Sequence, residues 1–201
     1  MLRMAKRLFD GVLSALGLLL LSPLLLVLAV WIKRDSPGPV FFRQERVGRF
    51  GVPFRIHKFR TMAHDGVGAL ITVGADARIT RAGAFLRRSK LDELPQLIDV
   101  LLGRMSLVGP RPEVPRYVAL YPQALRDKVL SVRPGITDVA SIEYRDENER
   151  LAQAADPERE YVDVVMPAKL QLAAHYVDHA SLRFDLQLIL RTVRLVWGAK
   201  S

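Results

Sequence analysis

The sequence contains no cysteine, which excludes disulfide bonds and any chemistry that depends on a thiolate. It also lacks the GxGxxG, P-loop and GxSxG patterns, so no motif indicates a dinucleotide fold, a Walker-type site or a hydrolase elbow. No internal repeat or low-complexity segment interrupts the 201 residues. After the first 35 residues, the remaining length is enough for one domain with a modest core.

Charge is absent from one long stretch, the 22 residues from Gly11 to Ile32. At about 1.5 Å per residue, this run could cross a bilayer core of about 30 Å. Ser22-Pro23 lies in its middle, and proline removes a backbone donor and clashes with the carbonyl four residues back. The residues leave open a kinked transmembrane helix and two half-helices that enter and leave on the same side. A signal peptide fits less well, because the run is long and no Ala-x-Ala site closes it.

Basic residues flank this run on both sides, at Arg3, Lys6, Arg7, Lys33 and Arg34. Positive charge favours the cytoplasmic side of a membrane. Because both flanks are basic, they do not indicate the orientation of a single transmembrane helix, but they agree with a hairpin whose two ends lie on the cytoplasmic side. The Ser22 hydroxyl could relieve the break by donating to a carbonyl near Leu18 or Leu19.

The net charge of +9 is unevenly distributed. From Lys33 to Thr61, eight Lys and Arg residues face only two acidic ones, whereas residues 143–163 are rich in acid. A basic segment directly after a membrane element suits anionic headgroups and phosphorylated substrates. We expect no nucleic acid partner, because no nucleic-acid-binding motif accompanies the charge.

The remaining pattern predicts an α+β fold that is mostly α, with one small β-hairpin. Val40–Phe42 and Val52–Phe59 indicate paired strands, and residues 62–83 indicate a loop with a short helix near 79–86. A further helix is predicted from Leu91 or Asp92 to Gly103, and another over Ser181–Trp197. Two more helices are predicted within residues 113–131 and 157–178, the first interrupted at Pro122 and the second at Pro167.

The last of these helices is amphipathic. Its apolar stripe comprises Leu182, Leu186, Ile189, Leu190, Val193 and Val196 or Trp197, with arginines at 183, 191 and 194. Packing against the core and binding to a membrane surface both agree with this pattern.

Asp92-Glu93 is the strongest candidate for chemistry. At the start of a helix, Asp92 would lie in the positive field of the N-terminus, which favours the carboxylate. Such a carboxylate can bind Mg²⁺ or attack phosphorus. The ordinary role of an aspartate at this position, however, is that of a plain N-cap.

Cationic residues surround this pair in the sequence. Arg111, held between Pro110 and Pro112, suits bidentate pairing with phosphate. A diphosphate site and a merely solvated basic face remain alternatives on the residues alone. The other candidate phosphate ligands are Lys58, Arg87 and Arg88. His175 and His179 have i, i+4 spacing but no HExxH pattern, so we expect an exposed face rather than a metal site.

These residues occur in blocks that resemble the small monotopic phosphoglycosyl transferases, also called bacterial sugar transferases. The similarity covers residues 3–137 in order. The blocks are Lys6-Arg-Leu-Phe-Asp10, Ser22-Pro23, Gly38-Pro-Val-Phe-Phe42 with Gln44, Arg46 and Gly48, Lys58-Phe-Arg-Thr-Met62, Arg78-Ile-Thr80, Gly83 with Phe85-Leu-Arg-Arg88, Leu91-Asp-Glu-Leu-Pro-Gln-Leu97, Met105-Ser-Leu-Val-Gly-Pro-Arg-Pro112 and Arg133-Pro-Gly-Ile-Thr137.

The resemblance implies transfer of a phospho-sugar from a UDP-sugar to polyprenol (undecaprenyl) phosphate, with release of UMP, as the first membrane step of surface-glycan assembly. It implies Asp92 as the nucleophile that forms a covalent phospho-sugar ester. Glu93 would be a base or a site-holding residue, and Mg²⁺ would lie near Asp92. Lys58, Arg87, Arg88 and Arg111 would hold phosphate oxygens.

The resemblance also implies a membrane arrangement. Residues 1–35 would form a re-entrant helix-break-helix hairpin at Ser22-Pro23, and residues 36–201 a catalytic domain held on the bilayer by amphipathic interfacial helices. Both termini would lie on the cytoplasmic side of the bacterial inner membrane. A homodimer is a further expectation, because the surface is helical and partly apolar.

One segment and two single positions depart from the family pattern. Asp138 and the residues to 150 replace a glycine and a Gln-Val-x-Gly-Arg stretch, Asp99 stands where asparagine is frequent, and Arg104 stands where an acidic residue is frequent. None of these departures removes the expected nucleophile.

Overall fold

A computed structural model describes residues 2–63 and 76–198. Within those ranges the chain is mostly helical, which confirms the expected α+β class. The helices are α1 (Leu2–Asp35), α2 (Arg81–Arg88), α3 (Gln96–Leu101), α4 (Pro115–Val118), α5 (Gln123–Val129), α6 (Val139–Glu143), α7 (Glu147–Gln153), α8 (Pro157–Glu160), α9 (Met166–His179) and α10 (Leu182–Gly198). The strands are β1 (Phe41–Phe42), β2 (Glu45–Val47), β3 (Pro53–Arg55), β4 (Lys58–Phe59), β5 (Ser106–Val108) and β6 (Gly135–Thr137). Most of the segment expected to be a loop, residues 64–75, lies outside the described residues.

Helix α1 continues through Ser22-Pro23, so the expected break into two half-helices is not confirmed. The Ser22 hydroxyl donates a hydrogen bond of 2.8 Å to the Leu19 carbonyl. Proline at 23 has no N–H to offer this carbonyl, and the hydroxyl replaces the missing donor, as the sequence predicted. Helix residues 4–35 are long and apolar enough to cross a membrane, and an 18-residue window within them has a mean hydropathy of 2.6 and is only 11% buried within the protein.

The N-terminal part of α1 is bonded to the folded domain. Lys6 Nζ donates to Asp185 Oδ2 of α10 at 2.6 Å. The Arg7 guanidinium donates to the carbonyls of Val100 and Leu101 at the end of α3, at 2.6 and 2.8 Å. These two cations, which the sequence suggested were membrane-flanking charges, therefore bind α10 and α3.

The C-terminal part of α1 is bonded to the same domain. Asp35 Oδ2 accepts from the Ala82 N–H in the first turn of α2 at 2.9 Å. The guanidinium of the buried Arg60 donates to the carbonyls of Ser36, at 2.8 Å, and Pro37, just past the end of α1. The apolar side chains that pack here are Leu28, Ile32, Phe59, Ala82 and Leu86.

The strands after α1 form two nested antiparallel pairs. β2 pairs with β3 in a hairpin, and β1 pairs with β4 outside it, so that Phe42 lies opposite Lys58. The hairpin turn uses left-handed backbone at Phe50 and Gly51. This ribbon confirms the predicted paired strands and places Lys58 at the start of β4.

A short parallel pair, β5 with β6, lies next to the proline-flanked arginine. The backbones approach so closely that a Cβ on Gly135 would lie 2.1 Å from the Gly109 nitrogen, which no side chain could accommodate. The Gly135 N–H also donates to the Pro110 carbonyl at 2.9 Å. Pro110-Arg-Pro112 is therefore fixed directly against β6.

The C-terminal helices follow the predicted order, with two differences. The break expected at Pro167 is a π-helical turn at Tyr161–Val165, and Pro167 lies in the first turn of α9, where its missing N–H costs little. Helix α10 buries Leu188, which the predicted stripe omitted. Its exposed apolar side chains are Leu186, Leu190 and Val193, so one face packs on the core and another stays open.

Candidate active site

Asp92 lies in a single 3₁₀ turn, Leu91–Glu93, just before α3. Its side chain is buried and makes no capping bond, and Pro95 occupies the cap position of α3. The structure therefore contradicts the interpretation of Asp92 as a plain N-cap. Oδ2 contacts Lys58 Nζ at 2.9 Å, whereas Oδ1 is buried without a hydrogen-bond partner among the described residues.

Lys58 brings the two acidic side chains together. Its Nζ lies 2.9 Å from Asp92 Oδ2 and 3.4 Å from Glu93 Oε1. The ammonium reduces the repulsion between neighbouring carboxylates in this poorly solvated turn. A residue 34 positions earlier in the chain thus completes the acidic pair.

Arg111 closes the site from the other side. Its guanidinium forms a two-point pair with Glu93, with Nη1 to Oε2 at 3.2 Å and Nη2 to Oε1. Burial raises the pKa of Glu93, but the charges of Arg111 and Lys58 lower it by more, so the pKa of Glu93 lies below its usual range. The Glu93 carboxylate in turn raises the pKa of Arg111.

Two carboxylates, those of Asp138 and Glu113, support the loop that carries Arg111. Asp138 accepts from the Arg111 N–H at 3.3 Å and from the Ser141 N–H at 2.8 Å. Behind the loop, Glu113 accepts from Arg46 at 2.9 Å and from the Tyr161 hydroxyl at 2.5 Å. Sequence reasoning identified neither support.

The other two candidate cations lie in the last turn of α2. Arg87 is half-buried and Arg88 is exposed. The turn at Leu91–Glu93 follows α2 after Ser89 and Lys90, and Lys90 takes a left-handed conformation with φ of 56°. This sharp reversal places α2 beside the acidic pair, and the contacts that define the site are those of Lys58 and Arg111.

A histidine–aspartate pair supports the strand that carries Lys58. The fully buried Asp99 accepts from the backbone N–H of His57 at 2.7 Å, and its Oδ1 lies 2.8 Å from His57 Nδ1. His57 Nε2 lies 2.6 Å from the guanidinium of Arg43, which can only donate. Nε2 is therefore the acceptor and Nδ1 carries the proton, which gives the departure at Asp99 a local structural role.

The side chains at this site can be compared with the ligands that Mg²⁺ requires. Within residues 2–63 and 76–198, no group of three or more His, Cys, Asp or Glu side chains is arranged to hold a metal. Magnesium, however, usually takes only one or two carboxylates and completes its shell with phosphates and water. The unpartnered Oδ1 of Asp92 fits that limited role. His175 and His179 lie on an exposed face of α9, as expected.

Comparison with known proteins identifies one family. A family model described as bacterial sugar transferase matches residues 1–199. The chain is 40% identical over 98% of its length to a UDP-glucose:undecaprenyl-phosphate glucose-1-phosphate transferase of Xanthomonas campestris pv. campestris, covering 40% of that protein. It is 36% identical over 95% of its length to a UDP-N-acetylgalactosamine-undecaprenyl-phosphate N-acetylgalactosaminephosphotransferase of Aeromonas hydrophila, covering 43% of it.

A third relative is similar in length. The exopolysaccharide production protein PSS of Rhizobium leguminosarum bv. phaseoli is 40% identical over 94% of this chain and 92% of its own length. The chain thus spans about two-fifths of the two transferases and nearly all of this relative.

The Glu93–Arg111 pair predicts a defined pH dependence of stability. Because the pKa of Glu93 is lowered in the folded protein, its contribution is complete above the ordinary value of 4.5 and is lost as the pH falls towards the folded value. We expect Glu93→Gln to unfold at a lower temperature than wild type by a constant margin between about pH 5.5 and 8. That margin should narrow below pH 4.5 in thermal unfolding followed by circular dichroism.

Glu158→Gln is the matched control, because Glu158 forms an exposed ion pair with Arg116. It should change the unfolding temperature little at any pH. A margin for Glu93→Gln that widens on acidification would contradict the proposed ionisation of Glu93.

Proposed function

Because the chain belongs to the bacterial sugar transferase family, we propose that it transfers a sugar phosphate from a UDP-sugar to undecaprenyl phosphate and releases UMP. The observation that carries this proposal is the buried Asp92 carboxylate, which has one oxygen held by Lys58 and the other unpartnered. The named activities of the relatives support the same substrates. The role of one relative in exopolysaccharide production supports a place at the start of surface-glycan assembly.

In the first step, Asp92 Oδ1 attacks the phosphorus atom that carries the sugar. The bond from that phosphorus to the bridging oxygen breaks, and UMP leaves with the electron pair. The product is a phospho-sugar ester on Asp92. Lys58 supports this step because it holds Oδ2 and so directs Oδ1 towards the substrate.

Arg111 binds the diphosphate in this proposal. Its two-point geometry with Glu93 is the same geometry that a guanidinium uses with phosphate oxygens. When phosphate replaces Glu93 as its partner, the pKa of Glu93 rises towards its usual value, because the charge that lowered it is now shared. Arg87 and Arg88 add positive charge for phosphate at the end of α2.

In the second step, a phosphate oxygen of undecaprenyl phosphate attacks the phosphorus on Asp92. The bond to the Asp92 carboxylate breaks, the carboxylate is regenerated, and undecaprenyl-diphospho-sugar is released. Glu93, released from Arg111, accepts any proton that the attacking phosphate carries.

Magnesium completes the proposed site at Asp92. Bound there, Mg²⁺ would neutralise charge on the diphosphate. The residue that would hold it is Asp92, as the one protein carboxylate in a shell completed by phosphate oxygens and water. Lys58 keeps its contact with Asp92 Oδ2 beside it.

The proposed membrane arrangement is the re-entrant one, with residues 1–35 dipping into the cytoplasmic leaflet of the bacterial inner membrane. Both ends of α1 are bonded to the same domain, Lys6 and Arg7 at one end and Asp35 at the other. A transmembrane helix would place these ends on opposite faces of the bilayer. Ser22-Pro23 then marks the deepest point, and residues 36–201 form the catalytic domain at headgroup depth, where a lipid phosphate lies.

Asp92→Asn should abolish UMP formation, with a loss of about a thousandfold or more, because an amide is a poor nucleophile towards phosphorus. The measurement is UMP released from a panel of UDP-sugars in the presence of undecaprenyl phosphate. Wild type without acceptor should accumulate a phospho-sugar on the peptide that contains Asp92, detected by mass spectrometry.

Asp178→Asn is the control, since Asp178 of α9 forms an exposed ion pair with Lys128 of α5. It should retain wild-type turnover. Full activity of Asp92→Asn would refute the covalent mechanism, and release of UDP instead of UMP would indicate a sugar transferase that leaves both phosphates on the nucleotide.

The proposed re-entrant topology predicts that residues 4 and 34, near the two ends of α1, lie on the same side of the membrane. The chain has no cysteine, so Met4→Cys and Arg34→Cys each introduce a single label site at an exposed position. Neither should react with an impermeant maleimide applied to intact spheroplasts, and both should react after permeabilisation. Reaction of one position from outside would establish a transmembrane α1 instead.

Removal of divalent cations should stop UMP release. Chelation with EDTA is expected to abolish turnover, and added Mg²⁺ is expected to restore it, because the two cations in contact with the acidic pair, Lys58 and Arg111, carry less charge than a diphosphate and two carboxylates together. Full turnover in the presence of excess EDTA would show that Lys58, Arg111 and their neighbours are sufficient.

A further inference from the structure

The β1–β4 pairing places an aromatic side chain next to the acidic pair. Phe42 lies directly opposite Lys58 in the antiparallel ribbon. Opposed residues of such a pair project from the same face, with Cβ atoms about 4.5–5.5 Å apart. Because Lys58 Nζ contacts both Asp92 and Glu93, Phe42 belongs to the edge of this site.

Phe42 is open to its surroundings, unlike the residue beside it. Phe41 stacks on the buried Phe59 at 5.7 Å between ring centroids and meets the edge of His57 at 6.0 Å. No aromatic ring packs on Phe42 in the described ranges, and its side chain is 48% exposed. An uncovered phenyl ring beside a phosphate-binding cation suits a ligand that joins a phosphate to an apolar group.

The apolar surface around this ribbon continues to the membrane helix. Val40, two residues before Phe42, packs with the cluster formed by the end of α1. Trp31 of α1 and Phe85 of α2, which precede the cluster members Ile32 and Leu86 in sequence, pack together at 5.3 Å between ring centroids and remain partly exposed. A chain of hydrocarbon rising from the bilayer along α1 would therefore meet apolar side chains up to the site.

We propose that Phe42 binds the isoprene units next to the phosphate of the polyprenyl acceptor while that phosphate lies at Lys58 and Asp92. This inference rests on the proposed function and adds an acceptor-binding residue to it. A nucleoside could also stack on an aromatic ring. The connection of this surface to α1, the apolar membrane element, favours the prenyl chain.

The two half-reactions can distinguish whether Phe42 binds the prenyl chain of the acceptor or the nucleoside of the donor. UMP formation without acceptor involves only the donor, whereas turnover with undecaprenyl phosphate involves both substrates. We expect Phe42→Ala to raise the KM for undecaprenyl phosphate about tenfold, as loss of part of a buried phenyl contact would. The rate of UMP formation without acceptor and the KM for the UDP-sugar should not change.

Two further variants sharpen the test. Phe42→Leu keeps an apolar contact without a ring, so it should restore most of the acceptor affinity. Phe50→Ala is the matched control, because Phe50 is 70% exposed at the far turn of the β2–β3 hairpin and bonds through its backbone to Leu130. It should behave as wild type.

The acceptor probe distinguishes substrate contact from membrane contact. With geranyl phosphate, which carries two isoprene units, in detergent solution, Phe42→Ala should show the same loss as with undecaprenyl phosphate in vesicles. A loss confined to vesicles would overturn the inference and identify Phe42 as a bilayer contact.

Other results would also overturn the inference. Slower UMP formation without acceptor, or a raised KM for the UDP-sugar, would assign Phe42 to the nucleoside. Unchanged kinetics in every assay would assign it to neither substrate. If wild type released no UMP from any UDP-sugar, the proposed function itself would fail, and the acceptor site with it.

Discussion

The last carbonyl oxygens of a helix have no hydrogen-bond donor within the helix. This fold depends on the arginines that donate to such carbonyls at the ends of α3 and α1. Arg7 of α1 donates to the last carbonyls of α3, and Arg60 donates to the carbonyls just past the end of α1. Positive charge is favourable at both places because of the helix dipole. Since α3 follows directly from the turn that carries Asp92, the membrane helix and the acidic pair are parts of one bonded unit.

Within the site, charge is balanced by exchangeable partners. Two carboxylates, Asp92 and Glu93, meet two cations, Lys58 and Arg111, in a largely buried turn. A buried ion pair is costly to break unless a new partner arrives, and a phosphate group is such a partner for a guanidinium. The arrangement is therefore stable in the absence of substrate while leaving one Asp92 oxygen without a hydrogen bond.

The sequence predicted features that depend on local chemistry. The paired strands, the end of α3 just before Gly103 and the hydrogen bond from Ser22 follow from turn residues, left-handed glycine and the missing proline donor. It did not predict contacts between distant segments, such as Asp138 on the Arg111 backbone or Asp99 on His57. Their partners are 27 and 42 positions away, and no periodicity connects them. For the same reason the membrane-flanking interpretation of Lys6 and Arg7 missed their bonds to α10 and α3.

The contact of Gly109 with Gly135 has an evolutionary consequence. Because a Cβ at either position would collide with the facing backbone, the position of the Arg111 loop requires glycine at both 109 and 135. Segments that do not contact this loop can therefore change sequence while the arginine stays in place, whereas Tyr161, which donates to Glu113 behind the loop, is constrained with it. A lineage could alter its outer helices and retain the same geometry at Arg111.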